Sequence, residues 1–284
     1  MKKTLIHSQI SNAKTLQAYM RRLTTLAENV FDFENLPPFI DNAFMNKRLL
    51  RDGAIAFFED DVLGVLALPF TVNEGLDVYS RPLSITVYGQ NGYTKNLTND
   101  KFVIMYDNNG RYSLMFEIRQ FAERLALAKR VTDINILQQK TPRIWKTSNE
   151  NKKTITDMIN NIDACLDTVQ TYETMELDNL DVCVAPAPYV TDKIDEHMLK
   201  EWAEFYQLIG ISSIVEQKRE RLIKDEMQAS LGGTIASRFS RYNPRLKAIK
   251  EINEKWGLDI KLKYYDGLPN MIEEKVEEVG ENVF

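Results

Sequence analysis

Apolar residues at Leu16, Tyr19, Leu23, Leu26 and Val30 recur at intervals of three and four, the spacing that lays one stripe of a helix against a core. This predicts an N-terminal helix that stops at Pro37 and Pro38, with a short helical stretch around Phe44 to Leu50 after it. From Gly53 to Leu114 the pattern changes to short β-rich runs, Ala54–Phe58, Val62–Leu68, Ser84–Tyr88 and Phe102–Tyr106. Asp60-Asp61, Asn91-Gly92 and Asn109-Gly110 separate them, and Asn-Gly favours tight hairpins because both residues tolerate positive φ. A small, mostly antiparallel barrel or sandwich follows.

The helical period returns near Leu114 with Ile118, Phe121, Leu125, Ala128 and Val131 on one face, and runs to about Lys140 before Pro142. Such a helix is roughly 40 Å long at about 1.5 Å per residue, which is long for a domain of this size. A second helix is predicted from Thr191 to Ile209, where Ile194, Met198, Trp202, Phe205 and Ile209 align opposite Glu196, Lys200 and Glu204. Between the two lies a compact insertion: a strand near Arg143–Lys146, a helix near Thr154–Val169 and an extended run Asp181–Ala187. Past Gly210 the charged run Glu216 to Arg221 and the pair Gly232-Gly233 read as a mobile loop flanked by polar helix. A last helix takes Asn243 as N-cap and Pro244 at its first position, buries Leu246, Ile249, Ile252 and Trp256, and stops at Gly257. The alternating strand Leu258 to Lys263 follows, and the fold class is α+β.

With 284 residues, 44% of them hydrophobic, the chain has material for a substantial core divided over two or three connected parts, which excludes a disordered or fibrous protein. A net charge of −5 argues against a generic nucleic-acid coat. Its distribution is uneven. Residues 1–22 carry Lys2, Lys3, Lys14, Arg21 and Arg22 without an acid, residues 236–250 carry Arg238, Arg241, Arg245, Lys247 and Lys250 without one, and Glu273, Glu274, Glu277, Glu278 and Glu281 crowd the last stretch. Cys165 and Cys183 form no CxxC pattern, so neither a disulfide scaffold nor a zinc site is expected, and synthesis in a reducing cytoplasm fits. No run is apolar enough for a signal peptide or a membrane span, so a soluble protein is expected.

Candidate chemistry is sparse. His7 and His197 lack any ligand spacing, Gly232-Gly233 lacks the context of a phosphate-binding loop, and Glu59, Asp60 and Asp61 fall at a hairpin turn where solvated acids belong. No catalytic residue, metal or cofactor is expected. Arg238 to Lys250 interleaves Phe239 and Tyr242, a composition compatible with phosphate contacts and stacking and equally with a solvated helix face. Lys218, Arg219, Arg221 and Lys224 are balanced by Glu216, Glu220, Asp225 and Glu226. In one subunit that is a polar helix, whereas around a ring it becomes bands of cation on an acidic wall.

Ordered strings run through the chain: Glu34, Asn35, Leu36, Pro37, Pro38; Gln139, Lys140, Thr141, Pro142; Ala187, Pro188, Tyr189, Val190 with Asp192 and Lys193; Gly210-Ile211; Lys218 to Arg221; Asp225-Glu226; Ile252, Asn253, Glu254 with Gly257-Leu258. In these the chain resembles, over nearly its whole length, the portal proteins (upper collar or head-tail connector proteins) of small podophages that replicate by protein priming. The resemblance implies a phage portal fold in a dodecameric ring. Its wing would be residues 1–114, with the N-terminal helix and a small SH3-like β-barrel; stem helices 115–140 and 191–209; a clip 141–190; a channel loop region 210–240; and a C-terminal wing or crown segment 241–284. Lys193, Lys218, Arg219 and Arg221 match channel-lining positions, with Lys224, Arg238 and Arg241 as further DNA-facing candidates. A family lysine position just before the Ala187 string holds Val184 here, and that ring is not carried over.

The implied partners are eleven further copies of the chain, double-stranded DNA, the major capsid and scaffolding proteins, a packaging ATPase and a lower collar or tail protein, at the portal vertex of a virion. The N-terminal arm is shorter and less basic than in relatives that bind a packaging RNA, which leaves that partner open. The basic stretches alone fit a different reading, a DNA-processing enzyme or accessory subunit such as a metal-dependent nuclease. A different collar or adaptor protein of the same particle is the third.

Overall fold

The structure, a computed structural model, describes residues 2–73, 75–140, 143–146, 181–184, 188–211 and 224–265. Residues 1–36 contain neither glycine nor proline, and with no breaker the first helix, α1 (Lys2–Glu28), begins well before the periodic stripe that predicts it. It is followed by β1 (Phe31–Glu34) and α2 (Asn42–Asp52). Asp41 starts α2 by accepting the Ala43 amide at 3.0 Å. Gly53 ends it with φ +79°, its amide on the Leu49 carbonyl at 2.9 Å. A Cβ at Gly53 would lie 2.7 Å from the Tyr112 carbonyl carbon, so the position needs glycine for its space as well as its φ.

The β-rich region forms two antiparallel sheets. One has the order β3 (Gly64–Leu68), β2 (Ala54–Asp60), β7 (Phe102–Tyr106), with Ala56 opposite both Leu68 and Ile104. The other has the order β4 (Phe70–Val72), β5 (Ser84–Tyr88), β6 (Thr94–Thr98). Alternation sends Ala56, Phe58, Leu66 and Phe102 of the first sheet and Ile85, Val87 and Leu97 of the second into one buried cluster. On the reverse face of β2, Ile55 and Phe57 are fully buried too, each such side chain contributing about 1.5–3 kcal/mol.

The antiparallel β-rich expectation therefore holds, and among the described residues no ladder joins the two sheets into a closed barrel. The chain passes from β3 to β4 at Pro69, which has no N–H to donate. It passes from β6 to β7 through the single 3-10 turn Asn99–Lys101. At both joints the chain changes sheet, so one core is shared by the two.

Two compact units divide the chain, Met1–Thr15 with Arg124–Leu199, and Leu16–Glu123 with Lys200–Phe284. The first unit holds the second half of α3 (Met115–Lys140), the pair β8 (Arg143–Lys146) and β9 (Asp181–Val184), and the start of α4 (Thr191–Ile209). Buried Asn135 joins its helices. The Asn135 amide donates to the Pro188 carbonyl at 2.9 Å, and its oxygen accepts the Val190 amide and the Thr191 hydroxyl, each at 3.2 Å. The helix expected at Thr154–Val169 lies outside the described residues.

In the second unit α5 (Lys224–Trp256) runs straight through Asn243 and Pro244, neither a cap nor a first position. It also absorbs residues 224–240, where a loop is expected, Gly232-Gly233 included. Gly233 lies against α4 within that helix: a Cβ there would sit 1.9 Å from Gln207 Nε2, the far end of a side chain that would have to turn aside. The last strand, β10 (Lys261–Tyr264), returns to pair antiparallel with β1, Tyr264 opposite Phe31.

Candidate functional site

Arg238, Arg241 and Arg245 stand three and four residues apart on α5 and share one face of it. That face points inward. Arg238 Nε and Nη2 donate to the Gly210 carbonyl at 3.2 and 3.1 Å, and its guanidinium lies 4.5 Å from the Tyr264 ring centroid. The Tyr264 hydroxyl donates to the same carbonyl. Arg241 Nη2 donates to the Ala27 carbonyl at 3.4 Å, in the last turn of α1, and to Asp107 Oδ1 at 3.3 Å. Arg245 donates to the Asp107 carbonyl and carboxylate, and to the Arg241 carbonyl at 2.7 Å. One helix thus brings cations to the carbonyls at the ends of α1 and α4, where the last turns carry unpaired C=O groups and the negative end of the helix dipole.

Asp107, Arg245 and Arg241 are 0%, 1% and 3% exposed, so two buried guanidinium groups share one carboxylate. Arg241 Nε and Nη1 and Arg245 Nε meet no hydrogen-bond acceptor among the described residues. Both guanidinium groups instead lie over the Phe31 ring, at 5.1 and 4.1 Å from its centroid, an attraction that strengthens when desolvated. Burial by itself would raise the Asp107 carboxyl, but Arg241 and then Arg245 outweigh burial and hold it below its ordinary value. Burial draws the Arg245 guanidinium down to about 10 against the pull of Asp107, which leaves it cationic at neutral pH.

The same locus repairs the break that Pro244 makes in α5. Pro244 has no N–H for the Ser240 carbonyl, and the backbone amide of Asn109, two residues past Asp107, donates to that carbonyl at 2.9 Å. The loop after β7 is a splint across the weak point of the helix.

The sequence-derived site residues separate accordingly. Arg241, expected to face DNA, is a correction: its side chain is enclosed and engaged by Asp107 and Ala27, with no surface to offer a phosphate. Arg238 is half-buried on Gly210. Lys193 is exposed in the first turn of α4, Lys224 opens α5, and Lys218, Arg219 and Arg221 lie outside the described residues. Sequence reasoning misses Asp107, which sits beside an Asn-Gly turn and reads as part of it. A signal for it exists: arginines that share a helix face with Ile249 and Ile252 have to be buried and need a counter-charge.

Asp60 of the acidic trio is a turn cap. It accepts the Tyr93 hydroxyl at 2.6 Å and the Val62 amide at 3.0 Å, and these bonds hold its carboxyl down at about 2. Burial, then Asp60, push the Tyr93 phenol up to about 12. Among the described residues, no group of three His, Cys, Asp or Glu is placed to hold a metal ion, and no helix is long and apolar enough to cross a membrane.

A second surface lies on α3 in the first unit. Ala126, Ala128, Thr132 and Asn135 are buried, while Leu127, Val131, Ile134 and Leu137, at spacings of four, three and three, are 65%, 41%, 47% and 60% exposed. Val131 belongs to this outer stripe, not to the buried face on which its spacing places it. The helix is packed on one side and both exposed and apolar on the other.

The family model described as Phage Connector (GP10) matches residues 3–268 of the chain. Among solved structures, the chain is similar to one from the portal and tail of native bacteriophage P68, at 15% identity over 100% of this chain and 98% of that one, with a TM-score of 0.56. It is also similar to an HK97 family phage portal protein from Corynebacterium diphtheriae, at 13% identity over 91% and 96%, with a TM-score of 0.47. The likeness to the P68 chain shows a shared fold.

Proposed function

The chain belongs to the phage connector family and is a head-tail connector, or portal, subunit of a phage virion, and from that premise we propose that it closes into a dodecameric ring around a channel for double-stranded DNA. In this reading the particle is a podophage that replicates by protein priming. Residues 115–140 and 191–209 line the stem, 141–190 form the clip, and 1–114 with 241–284 form the wing and crown. Lys193, Lys218, Arg219 and Arg221 face the channel, with Lys224 beside them. Capsid and scaffolding proteins hold the wide end, the packaging ATPase acts at the vertex, the lower collar or tail protein attaches there, and the short N-terminal arm leaves a packaging RNA open as a partner.

The observation that carries this reading is the outer stripe Leu127, Val131, Ile134 and Leu137. An exposed apolar row on a helix whose opposite face is already packed marks a protein contact. A copy of the same chain, repeated by rotation, supplies one without leaving a free edge. The rival reading as a DNA-processing enzyme draws on the basic stretch 238–250, and its arginines at 238, 241 and 245 are engaged within the subunit.

Negative-stain microscopy of the purified protein tests the proposal. Twelvefold rings are expected for the native chain, and dispersed subunits with unchanged circular dichroism for Leu127→Glu combined with Ile134→Glu. Native material that stays monomeric or dimeric, or a variant that still closes, would sink the reading.

A further inference from the structure

Of the 36 Lys and Arg and 41 Asp and Glu in the chain, residues 266–284 hold one and six, which leaves 35 of each in residues 1–265. The whole net charge of −5 thus resides in one stretch, Asp266 to Phe284. The ring reading places that stretch in the wing and crown but gives its charge no task.

The unit Leu16–Glu123 with Lys200–Phe284 contains a surface groove of matching character. An open cavity of about 330 Å³ lies between β7 and the second half of α5. Phe102, Ile104, Tyr106 and Ala248 give it an apolar floor, and Arg81, Arg111 and Lys247 stand in its lining against one carboxylate, Glu251. Arg81 is held in place by Asp77 at 3.1 Å, and Arg111 lies 4.9 Å from the Tyr106 ring centroid. Lys247 is exposed.

Reach is not limiting. Tyr264 lies against Arg238 on α5, and the groove begins at Pro244 on the same helix, a separation of about 9 Å along the axis at about 1.5 Å per residue. The 19 residues from 266 to 284 span up to about 60 Å when extended. Opposite charge and an apolar floor favour an occupant that alternates the two, and Met271, Ile272, Val276 and Val279 are interleaved with the glutamates.

We propose that this groove receives the acidic stretch 266–284 of the same chain, with its glutamates set against Arg81, Arg111 and Lys247. Seated there, the stretch covers cations that would otherwise draw phosphate. The inference stands apart from the ring reading, because it concerns contacts inside one subunit and needs neither DNA nor assembly.

Carbodiimide coupling of the full-length protein tests it, since an activated carboxylate forms an amide only with a lysine amine in contact. Peptide mapping is expected to find Lys247 joined to Glu273, Glu274, Glu277, Glu278 or Glu281 in preference to Lys261, which is nearer in sequence. The product should fall as ionic strength rises from about 0.01 to about 1 M, where the screening length shrinks from about 30 to about 3 Å. It should fall several-fold in Arg81→Glu combined with Arg111→Glu. Lys247 coupled only to Glu251, or to none of these glutamates, overturns the proposal. Coupling confined to pairs of one isotope-labelled and one unlabelled chain overturns it also, by placing the stretch on a neighbouring copy. So does protection of Lys247 by added duplex DNA in the absence of any coupling, which makes nucleic acid the occupant.

Discussion

Asp107 neutralises two guanidinium groups that have no other acid within reach among the described residues, and it does so with its full carboxylate inside the protein. Removing one partner from a buried pair leaves uncompensated charge, at about 3–5 kcal/mol. Asp107→Asn is therefore expected to lower the free energy of unfolding by that amount at neutral pH, read from urea titration. The pH dependence has a definite sign. The folded carboxyl lies below its ordinary value of 3.8, so its contribution is complete above that value and is lost as pH falls through the lower folded one. The stability gap between native and Asp107→Asn protein should stay constant near neutrality and narrow only below about pH 4. Half of this locus was legible from residues alone, as an acid-free row of arginines. The acid was not, because Asp107 is 134 and 138 positions away from its partners, and nothing local announces a contact of that range.

Among the elements, α5 departs furthest from local rules. An interior proline costs a helix about 3 kcal/mol, partly through its lost hydrogen bond, and here Asn109 already supplies that bond. Pro244→Ala should therefore stabilise the protein by less than about 3 kcal/mol. By hydrogen exchange, the Asn109 amide should lose protection in that variant, as the backbone N–H regained at position 244 competes for the Ser240 carbonyl. An unchanged Asn109 amide would show that the splint does not hold. Gly53→Ala tests the turn between α2 and β2. With φ +79° and the Tyr112 carbonyl carbon 2.7 Å from the new Cβ, it should destabilise by more than the ~1 kcal/mol of a strained conformation alone, seen as a lower denaturation midpoint. Ser84–Tyr88, Phe102–Tyr106 and Thr191–Ile209 fall where their periods place them. Thr94–Thr98 buries only Leu97, and Phe31–Glu34 is a strand because Lys261–Tyr264 comes back to pair with it. Neither carries its own signal.

For the whole molecule, the neutral balance of residues 1–265 suits the proposed channel for DNA, because each phosphate neutralised would add salt-dependent affinity and hence drag. In that proposal a few cations would do the gripping. Lys218→Ala with Arg219→Ala is expected to leave rings intact under the microscope while packaged DNA escapes at a salt concentration the native particle withstands. Loss of the rings themselves would assign those two residues to subunit contact instead.

What the sequence determined alone was local and repetitive: helix and strand periods, turn dipeptides, the uneven placement of charge, and the ordered strings that resemble portal proteins. Hydrophobic period reports how a residue sits relative to its neighbours three, four or two positions away, and those distances survive in any fold. Tertiary structure decided the direction each charge faces. Arg238, Arg241 and Lys247 are alike in composition and close together on one helix, yet the first two close on carbonyls from other elements and the third lines an open groove. That division depends on which carbonyl, carboxylate or ring the fold brings within about 3–5 Å, a quantity fixed by packing over separations of a hundred residues and more.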